Sequence, residues 1–306
     1  MIGVLIRRRA CFRVLGSTLD ALTRRGVEWT IWDKPDAKDP PDSNDYGRWM
    51  APGRFLHSDG TRHGVVKPKV WLAVDAPDVP NWNIPTVTVP YFWDNRLAPQ
   101  PSNRIVCYTS ERHLRLVQIL QPGTPAGPIV GWTEGDAWAL LQRDPCPLAV
   151  LYTLKQQTGD PWRQSLRGRA WYRETCRMIA RDAKRRGYVL VVKSRAKHDD
   201  PRWLHFLSWQ YIQDQETYPS TSWKLLALAQ EVTHFVSGVA WEAMVAGVPH
   251  RAIRVPLGPL ADYPGRREIE PAFDGTVSRE QFLGDWILPV DGKAGERVAD
   301  VIQGLL

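Results

Sequence analysis

Residues 225–256 read LLALAQEVTHFVSGVAWEAMVAGVPHRAIRVP. Leu225, Leu226, Leu228 and Ala229 recur at helical spacing and predict an apolar helix face. Residues 232–236 form a β-branched, aromatic-rich run with Thr233 and His234 inside it, long enough for one buried strand. Ser237 and Gly238 predict a tight turn, and Val239–Ala246 a helix that Gly247 ends, with Pro249 just beyond. Residues 253–255 predict a returning strand. Strand, Ser-Gly turn and helix in that order put backbone N–H groups and the positive end of a helix dipole at the carboxyl edge of a parallel sheet, an arrangement that holds a phosphate or diphosphate. Glu242 falls one turn into the helix, at the reach of a ribose hydroxyl. Any αβ unit has a helix start, so this geometry alone equally describes an ordinary buried segment.

The order of residue types is more specific than that. Ser237, Gly238, Glu242, Ala243, Met244, Gly247 and Pro249 spell a Ser/Gly turn followed by x-x-E-A-M-x-x-G-x-P and a strand. The stretch resembles the donor-site signature of GT-B glycosyltransferases and their nucleotide-diphospho-sugar relatives; the likeness spans residues 225–256 and is much looser elsewhere. It implies an α/β protein of GT-B architecture, two Rossmann-like domains with parallel sheets facing a central cleft. It also implies a nucleotide-sugar donor, a UDP-sugar first, with no other cofactor. Ser237, Gly238 and Val239 would stand near the diphosphate and Glu242 near the ribose.

With 306 residues, 43% hydrophobic and 24% charged, the composition is that of a soluble globular protein of one large or two ordinary domains. No apolar run approaches the ~18 residues that span a bilayer. The opening MIGVLIRRRACF reads as a first buried strand entering a basic loop and not as a signal peptide, so the expected location is cytoplasmic (the host cytoplasm for a phage-type enzyme). Cys11, Cys107, Cys146 and Cys176 are scattered like free thiols, without zinc-ligand spacing. A net charge of +7 favours anionic partners: nucleotides, nucleic acid or an anionic membrane surface. Of the 15 tryptophans, Trp29 and Trp71 fall in strand patterns, whereas Trp82, Trp93, Trp132 and Trp162 fall in Pro/Gly-rich loops, where rings pack under the loop or stack on sugars and bases.

From the start, Ile2–Ile6 predicts a buried parallel strand, 15–25 a helix with Leu15, Leu19 and Leu22 on one face, Gly26 its cap, and 27–32 a second strand. Leu22, Arg25, Gly26 and Glu28 resemble the L-x-x-R-G-x-E-V of the first βαβ unit in GT-B proteins. Where that family carries a Gly-rich or His-bearing loop after the first strand, this chain has Arg7, Arg8, Arg9 and Arg13. Residues 35–64 are polar and long for a connection inside a compact domain, which predicts either a mobile acceptor loop or a partly disordered stretch, and contain His57, Asp59 and His63. Strands are predicted at Val70–Val74, Thr86–Val89 and 105–108, and a helix at 110–120. Residues 129–136 (IVGWTEGD) resemble the end of a GT-B first domain. The expected domains are 1–145 for the acceptor and 146–290 for the nucleotide sugar. A helix within 291–306 crosses back to the first, with Val298, Val301, Ile302 and Leu305 apolar.

The second domain opens with a strand at 148–153. The loop 154–165 carries Lys155, Gln156, Gln157, Thr158, Gly159 and Arg163, donors of the kind that a phosphate-contacting turn needs. A basic helix to Arg186, capped by Gly187, and a strand at 188–193 follow. Residues 191–200 (VVKSRAKHDD) resemble the V-x-K-x-H-P turn of the CDP-glycerol glycerophosphotransferase and capsule-polymerase branch; Lys193 matches, the His-Pro pair does not, and His198 stands further on. In that fold Tyr211, Ile212 and Gln213 lie where the base is contacted.

Sugar transfer requires stabilisation of the leaving diphosphate, and often a base for the acceptor hydroxyl. Lys155, Arg163, Lys193 and Arg195 are expected at adjacent strand ends, where they meet one anion. No convincing Asp-x-Asp is present, so no metal ligands are assigned. Asp75, closing the 70–74 strand, is the first candidate base, because ligands bind outside the carboxyl ends of such strands; Asp94 is second, then His57 and His63. The sequence lacks a G-x-S-x-G elbow and a G-x-G-x-x-G fingerprint, against a serine hydrolase and a dehydrogenase. The resulting expectation is a metal-independent nucleotide-sugar glycosyltransferase. The favoured acceptor is duplex DNA carrying hydroxymethylated pyrimidines, as in phage-type DNA glycosyltransferases. Arg7, Arg8, Arg9 and Arg13, with Arg48, Arg54 and Arg62, would contact phosphates and Trp93 an extruded base. The alternatives are transfer of a sugar or glycerol phosphate to a cell-surface polymer, with peripheral membrane contact, and a non-catalytic nucleotide or nucleic-acid binder on the same scaffold.

Overall fold

A computed structural model of the 306-residue chain describes residues 1–6, 10–33, 55–56, 68–74, 83–90, 104–120, 122–154, 165–194, 200–213, 220–235, 237–255, 277–287 and 289–306. The chain divides into one unit of Met1–Leu140, Glu216–Pro219 and Leu283–Leu306, and another of Leu141–Gln215 and Ser220–Phe282. Among the described residues no helix is long and apolar enough to cross a membrane.

The first unit is a six-stranded, all-parallel sheet in the order β3-β2-β1-β4-β5-β6, formed by β1 (Ile2–Ile6), β2 (Trp29–Asp33), β3 (Phe55–Leu56), β4 (Val70–Val74), β5 (Thr86–Val89) and β6 (Arg104–Val106). This is the Rossmann order, reversing between β1 and β4. Both of those strands are buried at every residue, which is why they are continuous apolar runs and not alternating ones. Helix α1 (Ala10–Arg24) buries Leu15, Leu19 and Leu22 against the sheet and ends at Gly26, whose φ of +68° favours glycine. Helices α2 (Glu111–Leu120) and α3 (Asp136–Ala139) follow β6. The second unit is a five-stranded parallel sheet whose elements are β7 (Leu148–Tyr152), α4 (Leu166–Arg185), β8 (Val189–Ser194), β9 (Gln210–Gln213), α5 (Thr221–Leu228), β10 (Glu231–His234), α6 (Val239–Ala246) and β11 (His250–Ala252). Its order is β11-β10-β7-β8-β9. On one face Ala149, Leu151, Leu190, Val192 and Phe235 pack with Tyr172, Cys176 and Ile179 of α4. Helix α7 (Arg279–Trp286) runs through the division between the units, and α8 (Ala294–Gln303) belongs to the first.

Several boundaries differ from the sequence reading. Helix α1 begins at Ala10, so Arg13 is helical and not in the loop; its guanidinium pairs with Glu134. The strand read at 27–32 runs from Trp29 to Asp33, and the one read at 105–108 is Arg104–Val106, with Tyr108 making a single bridge to Ile129. The strand expected at 253–255 is His250–Ala252. The carbonyl of Pro249 already accepts the Val232 N–H, so the ladder starts at once, and Ile253 N–H takes the His234 carbonyl where β10 ends. Leu228 is exposed because α5 stops there and Ala229 continues extended.

The C-terminal helix α8 is anchored in the first unit by polar contacts. Asp136 is buried, and its two carboxylate oxygens accept the N–H groups of Ala294 (2.9 Å) and Gly295 (2.7 Å), two donors that a helix start leaves open. Desolvation pushes the Asp136 carboxyl above its ordinary value, opposed by those two amides. Gly295 lies so close to α1 that an added Cβ would stand 2.4 Å from the Ser17 carbonyl carbon and 2.6 Å from the Thr18 nitrogen. Arg25 completes the contact, donating to Glu296, Asp300 (2.7 Å) and Gln303 (2.6 Å). Gly295→Ala is expected to destabilise by overpacking, at about 1–3 kcal/mol. Asp136→Ala strands two buried donors, at about 1–3 kcal/mol each. Urea denaturation followed by circular dichroism measures both; an Asp136→Ala protein as stable as the parent would contradict this account of the anchor.

Candidate functional site

In the second unit the strand order reverses between β7 and β10, and open α/β sheets bind ligands outside the carboxyl ends of the strands at such a point. Register places Ile212, Lys193, Tyr152, His234 and Ala252 in one row across β9, β8, β7, β10 and β11. Alternation along each strand turns this row to the face opposite α4, because Leu151, Val192 and Phe235 occupy the α4 face. Lys193 is only 3% exposed and its Nζ lies 4.9 Å from the centre of the Tyr152 ring, a cation–π contact. His234 stacks against His250 at 5.7 Å.

Helix α6 starts immediately beyond His234. Its first turn is tight: Ala240 N–H donates to the Ser237 carbonyl and Trp241 N–H to the Gly238 carbonyl, both at 3.0 Å. Gly238 already has helical angles (φ −55°, ψ −15°) and does not use the left-handed region, unlike the helix end, where Gly247 has φ +67°. The far end is closed by Arg279, which donates to the Met244 and Val245 carbonyls. Glu242 is buried in the first turn of α6, where the helix dipole favours a carboxylate.

His234 is tied to this helix start. Its Nδ1 accepts the Ser237 N–H at 3.3 Å, which leaves the ring proton on Nε2. That Nε2 is buried and has no hydrogen-bond partner among the described residues. Burial, and secondarily His250, pushes His234 down to about 3, so the ring is neutral and Lys193 is the cation of the row. A buried donor without an acceptor costs about 1–3 kcal/mol, which a ligand oxygen would relieve. The first unit holds a counterpart in His113 of α2. Its Nδ1 accepts the Thr109 N–H (3.2 Å), its Nε2 is likewise without a partner among the described residues, and burial pushes it down to about 3.

Of the residues proposed from sequence, Lys193, Ile212, Ser237, Gly238, Val239 and Glu242 stand in this region of the second unit. Tyr211 faces the other side of β9, stacked on His205 at 3.8 Å with its hydroxyl donating to Asp200 (3.1 Å). Lys155, Gln156, Thr158, Gly159, Arg163 and Arg195 lie outside the described residues, as do Asp75, Asp94, His57, His63, Arg7, Arg8, Arg9, Arg48, Arg54, Arg62 and Trp93. Tyr152 and His234 join the row without having been singled out. The sequence signal for both is the same: a polar ring closing an apolar strand, His234 three residues before Ser237 and Tyr152 at the end of LAVLY.

No protein-family model matches the chain, and no curated protein matches it in sequence. Solved structures do resemble it. The UDP-GlcNAc 2-epimerase of Methanocaldococcus jannaschii, in complex with UDP-GlcNAc and UDP, is 13% identical, with 99% of each chain covered and a TM-score of 0.55. The Neisseria meningitidis UDP-GlcNAc 2-epimerase bound to UDP-GlcNAc is 12% identical over 99% of each chain, with a TM-score of 0.54. The wall teichoic acid polymerase TagF is 10% identical over 99% of this chain and 88% of its own, with a TM-score of 0.56. At such identities the likeness is one of fold: the chain has the GT-B fold, with two Rossmann-like α/β units.

Two buried neutral imidazoles make stability depend on pH. Each has a folded value near 3 and an ordinary value of 6.5, so between these the unfolded chain binds protons that the folded chain does not. Their stabilisation is full above pH 6.5 and is lost as the pH falls toward 3, by about 1.4 kcal/mol per pH unit for each ring. His113→Asn and His234→Asn keep an acceptor for the backbone N–H and remove the titration. Urea denaturation from pH 7 to pH 4 should show a shallower decline for each variant, and an unchanged slope would refute the neutral-ring assignment.

Proposed function

We propose that this protein is a nucleotide-sugar-dependent glycosyltransferase whose donor binds at the carboxyl edge of the second sheet. The observation that carries the reading is the convergence there of the α6 helix start, the buried ammonium of Lys193 and the buried Nε2 donor of His234. A diphosphate leaving group develops negative charge, and preorganised amides and a cation in a water-poor site stabilise that charge without needing to reorganise. In this reading the α6 amides at Gly238 and Val239 and the Lys193 ammonium hold the diphosphate, His234 donates to one of its oxygens, and Glu242 accepts from a ribose hydroxyl. Lys155, Gln156, Thr158, Gly159 and Arg163, which follow β7 in sequence, and Arg195, which follows β8, add donors, and no metal is called for. Asp75, next after β4, is the proposed base, and the acceptor belongs to the first unit. Charge alone supports duplex DNA with hydroxymethylated pyrimidines as the first acceptor to test, and a membrane-borne polymer as the second.

A second reading has an observation of its own. UDP-GlcNAc 2-epimerases match over 99% of this chain and of theirs. The same donor site then serves rearrangement of the bound sugar, with no acceptor.

Binding is tested first, by calorimetry with UDP. Lys193→Gln removes a charge-assisted contact, and Glu242→Gln a ribose contact; weakening by about tenfold to a hundredfold is expected from the former. Wild-type affinity in both variants would disprove the location of the site. Turnover is then followed as nucleoside-diphosphate release from pooled nucleotide sugars, with and without DNA containing 5-hydroxymethylpyrimidines. Asp75→Asn should lower release by about a hundredfold or more while leaving UDP affinity unchanged. Conversion of UDP-GlcNAc to its 2-epimer without an acceptor, read by NMR, would replace the transferase reading with the second one.

A further inference from the structure

Helix α4 carries seven basic residues against two acidic ones. Three of them, Arg177, Arg181 and Lys184, recur at helical spacing on one flank and wall a groove of about 460 Å³. The rest of the lining is mostly apolar, Ala180, Tyr188, Val189, Leu190, Leu207 and Trp209. Trp209 is 76% exposed, and Phe206, closing the short 3-10 helix Arg202–Phe206 just before it, is 87% exposed. Glu174 pairs with both Arg177 (3.6 Å) and Arg181 (3.3 Å), so the flank remains net cationic. The groove lies where β8 and β9 begin, at the sheet edge opposite the candidate nucleotide site.

A single exposed ring is ordinary on a protein surface; two exposed rings three residues apart in sequence, one of them lining a groove with three cations, are not. Long basic side chains lay their methylene stems along apolar surface and keep their charge outward. That is the composition of a surface that rests at a lipid–water interface, with aromatic rings at the headgroup level and cations on lipid phosphates. We propose that this face of the second unit docks on an anionic lipid bilayer. Phe206 and Trp209 enter the headgroup layer, and Arg177, Arg181 and Lys184 contact the lipid phosphates. A nucleic-acid duplex has the same charge, but its bases are stacked inside it and its backbone offers nothing to cover Phe206, Leu207 and Val189, whereas the headgroup–acyl boundary does. The proposal goes beyond the nucleotide reading and stands without it.

The test is co-sedimentation of the full chain with phosphatidylcholine vesicles, with and without phosphatidylglycerol, at low and high NaCl. Binding is expected only with phosphatidylglycerol and should weaken with salt. Each cation near an anionic surface contributes about fivefold in affinity, so joint Arg177→Gln, Arg181→Gln and Lys184→Gln substitution should weaken binding about a hundredfold. Phe206→Ser with Trp209→Ser should weaken it at both salt concentrations, a readout that charge alone does not move. Circular dichroism verifies that the variants fold. Equal binding to both vesicle types, or wild-type binding by the triple variant, overturns the proposal. So does loss of duplex DNA binding in the triple variant with vesicle binding unchanged, which assigns the face to nucleic acid.

Discussion

Parallel strands in register hold their carboxyl ends level, and in the second unit that constraint decides what stands beside what. The pairing of β7 with β8 and with β10 sets Lys193, Tyr152 and His234 side by side, although they are far apart in sequence. The strand order reverses between β7 and β10, the kind of point at which open α/β sheets bind ligands because the connections on either side leave in opposite directions. The start of α6 arrives at the same place because it follows β10 directly. The sheet does not tolerate a slip here: moving β10 by one residue would exchange His234 for a residue of the α4 face.

Burial then divides the work among the polar groups. A buried imidazole sheds its proton, so His234 acts as a neutral donor and acceptor, with Nδ1 committed to the Ser237 amide and Nε2 directed elsewhere. Lys193 sits against the face of the Tyr152 ring, which offsets part of the cost of holding an ammonium away from water. Among the described residues, one cation, one neutral ring and a helix start together favour an anion without stacking several buried like charges, which would repel one another.

The first unit answers a different need. A C-terminal helix returning to an α/β unit must satisfy the open N–H groups at its start, and here Asp136 does so from α3 while Gly295 permits α8 to approach α1 closely. The charges of α4 in the second unit are placed otherwise: they flank exposed aromatic rings at the amino edge of the sheet, away from the nucleotide-site candidate. The two surfaces proposed to take anions thus lie at opposite edges of one sheet.

The sequence by itself determined the alternation of strand and helix, the course of α6 from Val239 to its stop at Gly247, and the buried strands β1, β4 and β5. These are local matters: apolar runs, helical spacing and glycine's tolerance of positive φ act within a few residues. It likewise marked Lys193, Ser237 and Glu242, because their neighbours in sequence carry the pattern. What only the tertiary structure decided was the company those residues keep. That Arg13 belongs to a helix and pairs with Glu134, that Tyr211 turns away from Lys193 while Ile212 joins it, and that β11 begins at His250 all depend on partners distant in sequence. Tyr152 and His234 illustrate the reason. A polar ring ending an apolar strand looks the same in sequence whether it meets water, core or a ligand, and only the register between non-adjacent strands determines which.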